Sequence, residues 1–224
     1  MPKVRAWRER KGDAEADRLS ELAQGIGNRF HAWAEQYNAT GDPSIVVIDG
    51  MLNSMTSVYM RYATHSNIRP LGAECNLFSS RWGFAGTPDL VALADFEYLP
   101  SNTVTVADYK TSGMPGELWP LQLAAYSIMV EERGYGVGDV RAFRLDKDKP
   151  GEMGVWPYPD PVKLKYRDPE IRAAVRLVAK RAFLSTLNLW QWLHREDVPK
   201  IADQIQRGRL VPTLRTDTEA DDAA

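Results

Sequence analysis

From residue 13 to residue 39, large apolar side chains return every three or four positions, at Leu19, Leu22, Ile26, Phe30, Trp33 and Tyr37. That is the repeat of a helix with one buried face, and Asp13 stands where an N-cap would. Residues 50–63 repeat the pattern through Leu52, Met55, Val58, Tyr59 and Tyr62, and stop short of Asn67 and Pro70. The period then changes. Segments near 72–80, 84–95 and 103–109 are short and rich in β-formers, with Arg81-Trp82-Gly83 and Pro100-Ser101-Asn102 between them, which predicts an antiparallel meander. Gly113-Met114-Pro115-Gly116 reads as a loop, and 117–133 as a helix carrying Leu118, Leu121, Ala125 and Ile128, closed by Gly134. Residues 137–146 and 152–158 read as two more strands. Asp168 followed by Pro169 marks a further helix start, with Ile171, Val175, Val178, Ala182, Leu187 and Trp190 extending one long helix or a broken pair.

Length and composition narrow this mixed α/β reading. A chain of 224 residues supports one domain with an ample core, whereas two would each be cramped. We expect a single domain over 1–212, with a helical part at 13–66 and the sheet and its helices at 70–200. The acidic stretch at 213–224 is expected to be a disordered tail. No apolar run approaches the roughly 20 residues of a membrane span, and the amino terminus has no apolar secretory core. With one cysteine, Cys75, no internal disulfide forms, so a cytoplasmic setting is expected. The same count excludes a thiolate zinc site or an iron-sulfur cluster held within the chain, leaving oxygen and imidazole as metal ligands. There is no Walker motif and hence no expected nucleotide cofactor. A net charge of -2 gives no global pull toward nucleic acid, so such a partner requires a local basic face.

The chemistry concentrates in the meander. In Asp108-Tyr109-Lys110, alternation along a strand turns the carboxylate and the ammonium to one side and Tyr109 to the other. If the preceding strand pairs here, Asp89 lies beside Asp108, and two adjacent carboxylates repel unless a cation such as Mg²⁺ or Mn²⁺ sits between them. Such an ion polarises a phosphate oxygen and acidifies a bound water, while Lys110 orients that water or stabilises developing charge. The alternative for the same triplet is a solvated strand face with an exposed ion pair. In "QLAAY", Gln122 and Tyr126 share a helix face, either to hydrogen-bond a substrate or with the tyrosine packed on the sheet. His31, a turn after Gly27, is either a boundary residue or a third metal ligand.

Taken in order, "GIGNRFH", "GFAGTPDLV", "VADYKTS" and "QLAAY" resemble the RecB-like exonuclease branch of the PD-(D/E)XK nuclease superfamily, over about residues 25–130. The resemblance implies a restriction-endonuclease-like core, a central mixed β-sheet with a β-meander flanked by helices. It implies a metal-dependent DNA exonuclease acting in recombination, repair or replication, with Mg²⁺ or Mn²⁺ bound by His31, Asp89, Asp108 and the backbone carbonyl of Tyr109. Lys110 would activate the attacking water, and Gln122 and Tyr126 would organise the site and the nearby DNA strand. Glu74 matches an accessory acidic residue of the preceding strand, or else is a salt-bridged strand carboxylate. Members with an iron-sulfur cluster carry four cysteines, so this chain is similar to stand-alone members, such as phage-encoded exonucleases and the mitochondrial genome maintenance exonuclease. The implied partner is DNA, as a single strand or a duplex end, with a recombination protein as a further partner. The rival reading is a catalytically silent nuclease fold that binds DNA or protein. A structure-specific endonuclease is the other enzymatic form.

Several residues are candidates for the DNA path. Lys163, Lys165 and Arg167 precede Arg172, Arg176 and Lys180, which share a helix face at i, i+4 and either track a phosphate backbone or form a solvated face. Lys3, Arg5, Arg8, Arg10 and Lys11 form a second basic cluster in an amino terminus expected to be mobile. Trp82 and Phe84 either stack on an unpaired base or pack in the core.

Overall fold

The computed structural model describes residues 2–42, 44–45, 49–111, 116, 118–156 and 168–196, with side chains from residue 5 onward. Lys163, Lys165, Arg167 and the acidic tail lie outside these residues.

The chain opens with α1 (Pro2–Lys11), where a mobile terminus was expected. Its charges are partly met locally, because Arg8 pairs with Asp17 at 2.7 Å and with Asp13 at 3.2 Å. Gly12, at φ 78, separates it from α2 (Asp13–Thr40), so Asp13 is the first helical residue and not the cap. Gly41 ends α2 in the left-handed conformation, its N–H bonded to the Tyr37 carbonyl. Of the large apolar side chains of α2, Phe30 and Trp33 in its second half are inside, while Leu22 is exposed. α3 (Gly50–His65) starts where the Asp49 carboxylate accepts the N–H groups of Met51 and Leu52, and it buries Leu52, Met55 and Tyr59.

Two expected strands each break in two. β1 (Arg69–Ala73) stops at Glu74, a non-glycine residue at φ 45, and β2 (Leu77–Ser79) follows. β3 (Phe84–Gly86) is cut from β4 (Leu90–Ala94) at Pro88, which has no N–H to give a ladder. β2 and β3 form a separate hairpin. The main sheet adds β5 (Thr103–Lys110), β6 (Asp139–Leu145) and β7 (Met153–Trp156) in the order β1-β4-β5-β6-β7. Every neighbouring pair is antiparallel except β5 and β6, which the crossover through α4 (Trp119–Glu131) makes parallel. The sheet is therefore mixed.

Helices cover both faces. On one side α2 and α3 pack on Leu90, Ala92, Ala107, Tyr109, Phe143 and Leu145; on the other, Leu123 and Met129 of α4 meet Val91, Val106, Val140 and Ala142. Odd and even positions of β5 thus face different layers, as the two-residue period requires. α5 (Pro169–Leu193), capped by Asp168, is unbroken, and its inward face is rotated from the expected stripe. Arg172 is buried and Phe183 meets Phe84 edge to face at 4.9 Å, whereas Val178 and Trp190 are exposed. None of the described helices is long and apolar enough to cross a membrane.

Candidate active site

The register Leu90↔Ala107, carried one residue on, sets Asp89 opposite Asp108 at the carboxyl end of the central strand. α2 lays His31 over the same point. Its Nδ1 is 3.2 Å from Asp89 Oδ1 and 3.6 Å from Glu74 Oε1. The left-handed turn at Glu74 brings that carboxylate in, and its N–H is tied to the Asp89 carbonyl at 3.0 Å. A non-glycine residue held there stores strain on the order of 1 kcal/mol, which the surrounding structure must offset. The other Asp89 oxygen accepts the N–H of Tyr109.

His31, Glu74 and Asp89 each offer a ligand atom, all within 4.8 Å of one another. Around a small divalent ion with ligands at about 2.1 Å, adjacent ligand atoms lie about 3.0 Å apart and opposite ones about 4.2 Å. The 3.2 Å and 3.6 Å separations from His31 Nδ1 approach those of adjacent ligands, so these side chains could hold such an ion with small shifts. Asp108, which the resemblance places among the ligands, is turned instead to its neighbours. Its Oδ2 is ion-paired with Lys110 Nζ, and its Oδ1 accepts from Gln122 Nε2 at 3.3 Å. Gln122 joins the cluster together, accepting from Lys110 Nζ at 3.0 Å and donating to the Tyr126 hydroxyl at 2.8 Å. A flipped amide would set its NH₂ against the ammonium, so the neighbours fix this orientation.

Charge is dense here. Burial, then repulsion from Asp89, pushes the Asp108 carboxyl up to about 6, with Lys110 and His31 opposing. Burial disfavours a charged His31, but hydrogen bonds to Asp89 and Glu74 and the charges of Asp89 and Asp108 outweigh it, pushing the imidazole up to about 10. At neutral pH these contacts therefore favour the protonated imidazole. Burial likewise pushes the Tyr126 hydroxyl up to about 12.

Behind the cluster lies a support that local sequence does not reveal. Asn38 Nδ2 donates to the Tyr109 hydroxyl at 2.8 Å, and the Tyr59 hydroxyl donates to Asn38 Oδ1 at 3.1 Å. The two hydroxyls are 2.6 Å apart, and since Tyr59 has spent its proton, Tyr109 is the donor between them. The result is a closed ring of three hydrogen bonds, wholly buried. It anchors the residue that stands between Asp108 and Lys110 and whose N–H holds Asp89. Residues 38, 59 and 109 come from three elements, so no spacing announces them.

Gly86 has a comparable supporting role. A Cβ there would sit 2.9 Å from Tyr126 Cε1 and 3.1 Å from Met129 Cε. Gly86→Ala is expected to destabilise the protein by about 1–3 kcal/mol through overpacking. Gly25→Ala, in α2 with nothing within 4 Å of the new Cβ, is expected to stabilise it by about 0.5–1 kcal/mol. Urea unfolding of the two variants checks the opposite signs.

The residues proposed for a DNA path lie elsewhere. Arg172 is 1% exposed and 3.7 Å from Asp139, and Lys180 is paired with Glu131 at 2.5 Å. Arg172 and Lys180 therefore do not form a solvated basic line, because the i, i+4 face they share with Arg176 is the packed face of α5. Trp82 is half-buried at the hairpin turn, with Arg81 stacked at 5.1 Å and its carbonyl accepting from Gln191 at 2.7 Å. An open groove of about 530 Å³ does reach the cluster, lined by Gln24, Gly27, Asn28, Glu35 and Thr111 beside His31 and Glu74, with no lysine or arginine among the described residues that line it. The chain matches no protein-family model, and no curated protein matches it.

Proposed function

We propose that the chain is a Mg²⁺- or Mn²⁺-dependent deoxyribonuclease of the RecB-like PD-(D/E)XK type, acting as an exonuclease in DNA recombination, repair or replication. The observation that carries this reading is convergence. His31, Asp89, Asp108, Lys110, Gln122 and Tyr126, drawn from four separated segments, meet in one hydrogen-bonded and ion-paired cluster. Isolated surface carboxylates would have no reason to do so.

His31, Asp89 and Glu74 would hold the ion, with Asp108 and the Tyr109 carbonyl completing the set when Asp108 turns from Lys110. When bound, the ion would acidify a water and polarise a phosphate oxygen. Lys110, steadied by Gln122, would donate to the attacking oxygen and meet developing negative charge. Gln122 fixes the direction of that ammonium, and Tyr126 fixes Gln122. Among the described residues of the adjoining groove there is no cation, so the ion and Lys110 would meet the phosphate charge at the site.

One observation favours the alternative of a silent DNA- or protein-binding module: a protonated His31 pairs with both Asp89 and Glu74 and offsets part of their charge without an ion. Calorimetric titration with Mn²⁺ separates the two. The enzyme reading expects binding with release of about one proton per ion at pH 7–8, because His31 must lose its proton to ligate. Affinity should fall about tenfold per pH unit as pH drops below 10, and more steeply below about 6, where Asp108 also takes up a proton. Absence of binding heat at any pH supports the silent module.

A further inference from the structure

The inner side of α5 is occupied by Arg172 against Asp139, Lys180 against Glu131, Phe183 against Phe84 and Gln191 bonded to the Trp82 carbonyl. Its outer side is apolar as well. There Ile171, Ala174, Val178, Ser185, Leu189 and Trp192 recur at spacings of three, four and seven, with Ala182 at the middle, so they form one stripe along the helix. Val178 is 65% exposed, Leu189 59%, Trp192 69% and the adjoining Leu193 64%. Arg181, at the edge, is the only charge on this stripe. Together these side chains expose on the order of 500 Å² of apolar surface, toward the upper end of what a monomer carries in one patch.

The stripe is complementary to itself when its direction is reversed. In an antiparallel pair of α5 helices with a two-fold axis between Arg181 and Ala182, Val178 faces Ser185, Leu189 faces Ala174 and Trp192 faces Ile171, each contact occurring twice. Large side chains meet small ones in the inner pairs, and Ala182 at the axis lets the helices approach to about 8 Å. At each end Glu170 of one copy lies on the same side of the seam as Arg195 of the other, and the helix dipoles oppose. The two Arg181 side chains near the axis reach outward to water along their long stems. A parallel pair would instead set Trp192 on Trp192 and Glu170 on Glu170. We propose that two copies of this chain associate through the outer face of α5, antiparallel about that axis. The two patches would bury on the order of 1,000 Å² in all, an area at the low end of specific interfaces, so the dimer is reversible and forms at micromolar concentration. The inference stands apart from the nuclease reading, since α5 contributes no residue to the carboxylate cluster.

The test is analytical ultracentrifugation of the full chain from about 1 to 200 μM, with a monomer–dimer equilibrium as the expected result. Leu189→Glu is expected to raise the dimer dissociation constant by at least about 100-fold, because each dimer loses two buried leucines and gains two charges in the seam. Urea unfolding at a concentration where the wild type is monomeric should give the two proteins the same midpoint, since residue 189 is exposed in the single chain. Glu170→Arg is expected to weaken the dimer several-fold by facing Arg195, and adding Arg195→Glu to it should restore the affinity, as only the antiparallel register brings these positions together. Any of three results overturns the proposal: a monomer at every concentration, which would leave the face to residues 197–224 or to another protein; a dimer that Leu189→Glu does not weaken; or a charge exchange at 170 and 195 that fails to restore what the single change loses.

Discussion

Lys110→Met is expected to slow metal-dependent DNA hydrolysis by on the order of 10²–10³-fold while the protein still binds Mn²⁺. The lysine is half-buried, paired with Asp108 and bonded to Gln122 at 3.0 Å, so its ammonium is already oriented. Methionine keeps the stem and removes only the donor. Freed of its partner, Asp108 loses an attraction that holds its proton affinity down, so its carboxyl should titrate still higher than in the wild type. The variant should therefore recover part of its rate as pH rises above 7. Single-turnover digestion of labelled linear DNA across pH 6–9 checks both the size and the slope; a variant as fast as wild type at pH 7 would remove Lys110 from the mechanism.

The largest effect on stability is expected from Asp139→Ala. This carboxylate is fully buried and shared by Arg141 at 2.7 Å and Arg172 at 3.7 Å, which ties β6 to α5. Arg141 also donates to the Tyr62 hydroxyl at 2.8 Å and lies 3.4 Å over the Phe96 ring, so it cannot follow a lost partner to water. Removing one member of a buried ion pair costs about 3–5 kcal/mol, a large share of the roughly 5–15 kcal/mol that holds a domain folded. Arg5→Ala, which breaks an exposed pair with Glu9, should cost no more than a few tenths of a kcal/mol. Urea unfolding of both variants compares them, and a loss below about 1 kcal/mol in Asp139→Ala would mean that the buried pair contributes little.

The same cluster explains what the sequence withheld. Helix periodicity located α2, α3, α4 and α5 to within a few residues, because each buries a face against the sheet. Periodicity does not say which side of a charged stripe turns inward. Arg172 and Lys180 read as a solvated line, yet Asp139 on β6 and Glu131 on α4 draw them into the packed face. Those partners belong to other elements, so no local rule identifies them. Val178 and Trp190 were misplaced by the same rotation of α5.

At the cluster, the two-residue period was enough to set Asp108 and Lys110 on one side of β5, and a pairing of adjacent strands was enough to bring Asp89 beside them. The prominence of Glu74 was harder to see, because it depends on a left-handed residue that ends β1 and on the break at Pro88. The Asn38, Tyr59 and Tyr109 ring was not legible at all. Its members are apolar-stripe or neutral positions in sequence, and only the packing of α2 and α3 on one sheet face closes them into a ring.

The most direct measurement of the central claim is release of labelled nucleotide from linear DNA in Mn²⁺, repeated with EDTA and with Asp89→Ala. The account predicts release by wild type that EDTA abolishes and that Asp89→Ala lowers by at least about 10²-fold, with closed circular DNA left intact by an enzyme that works from ends. Release that persists in EDTA, or that Asp89→Ala retains at the wild-type rate, would contradict it.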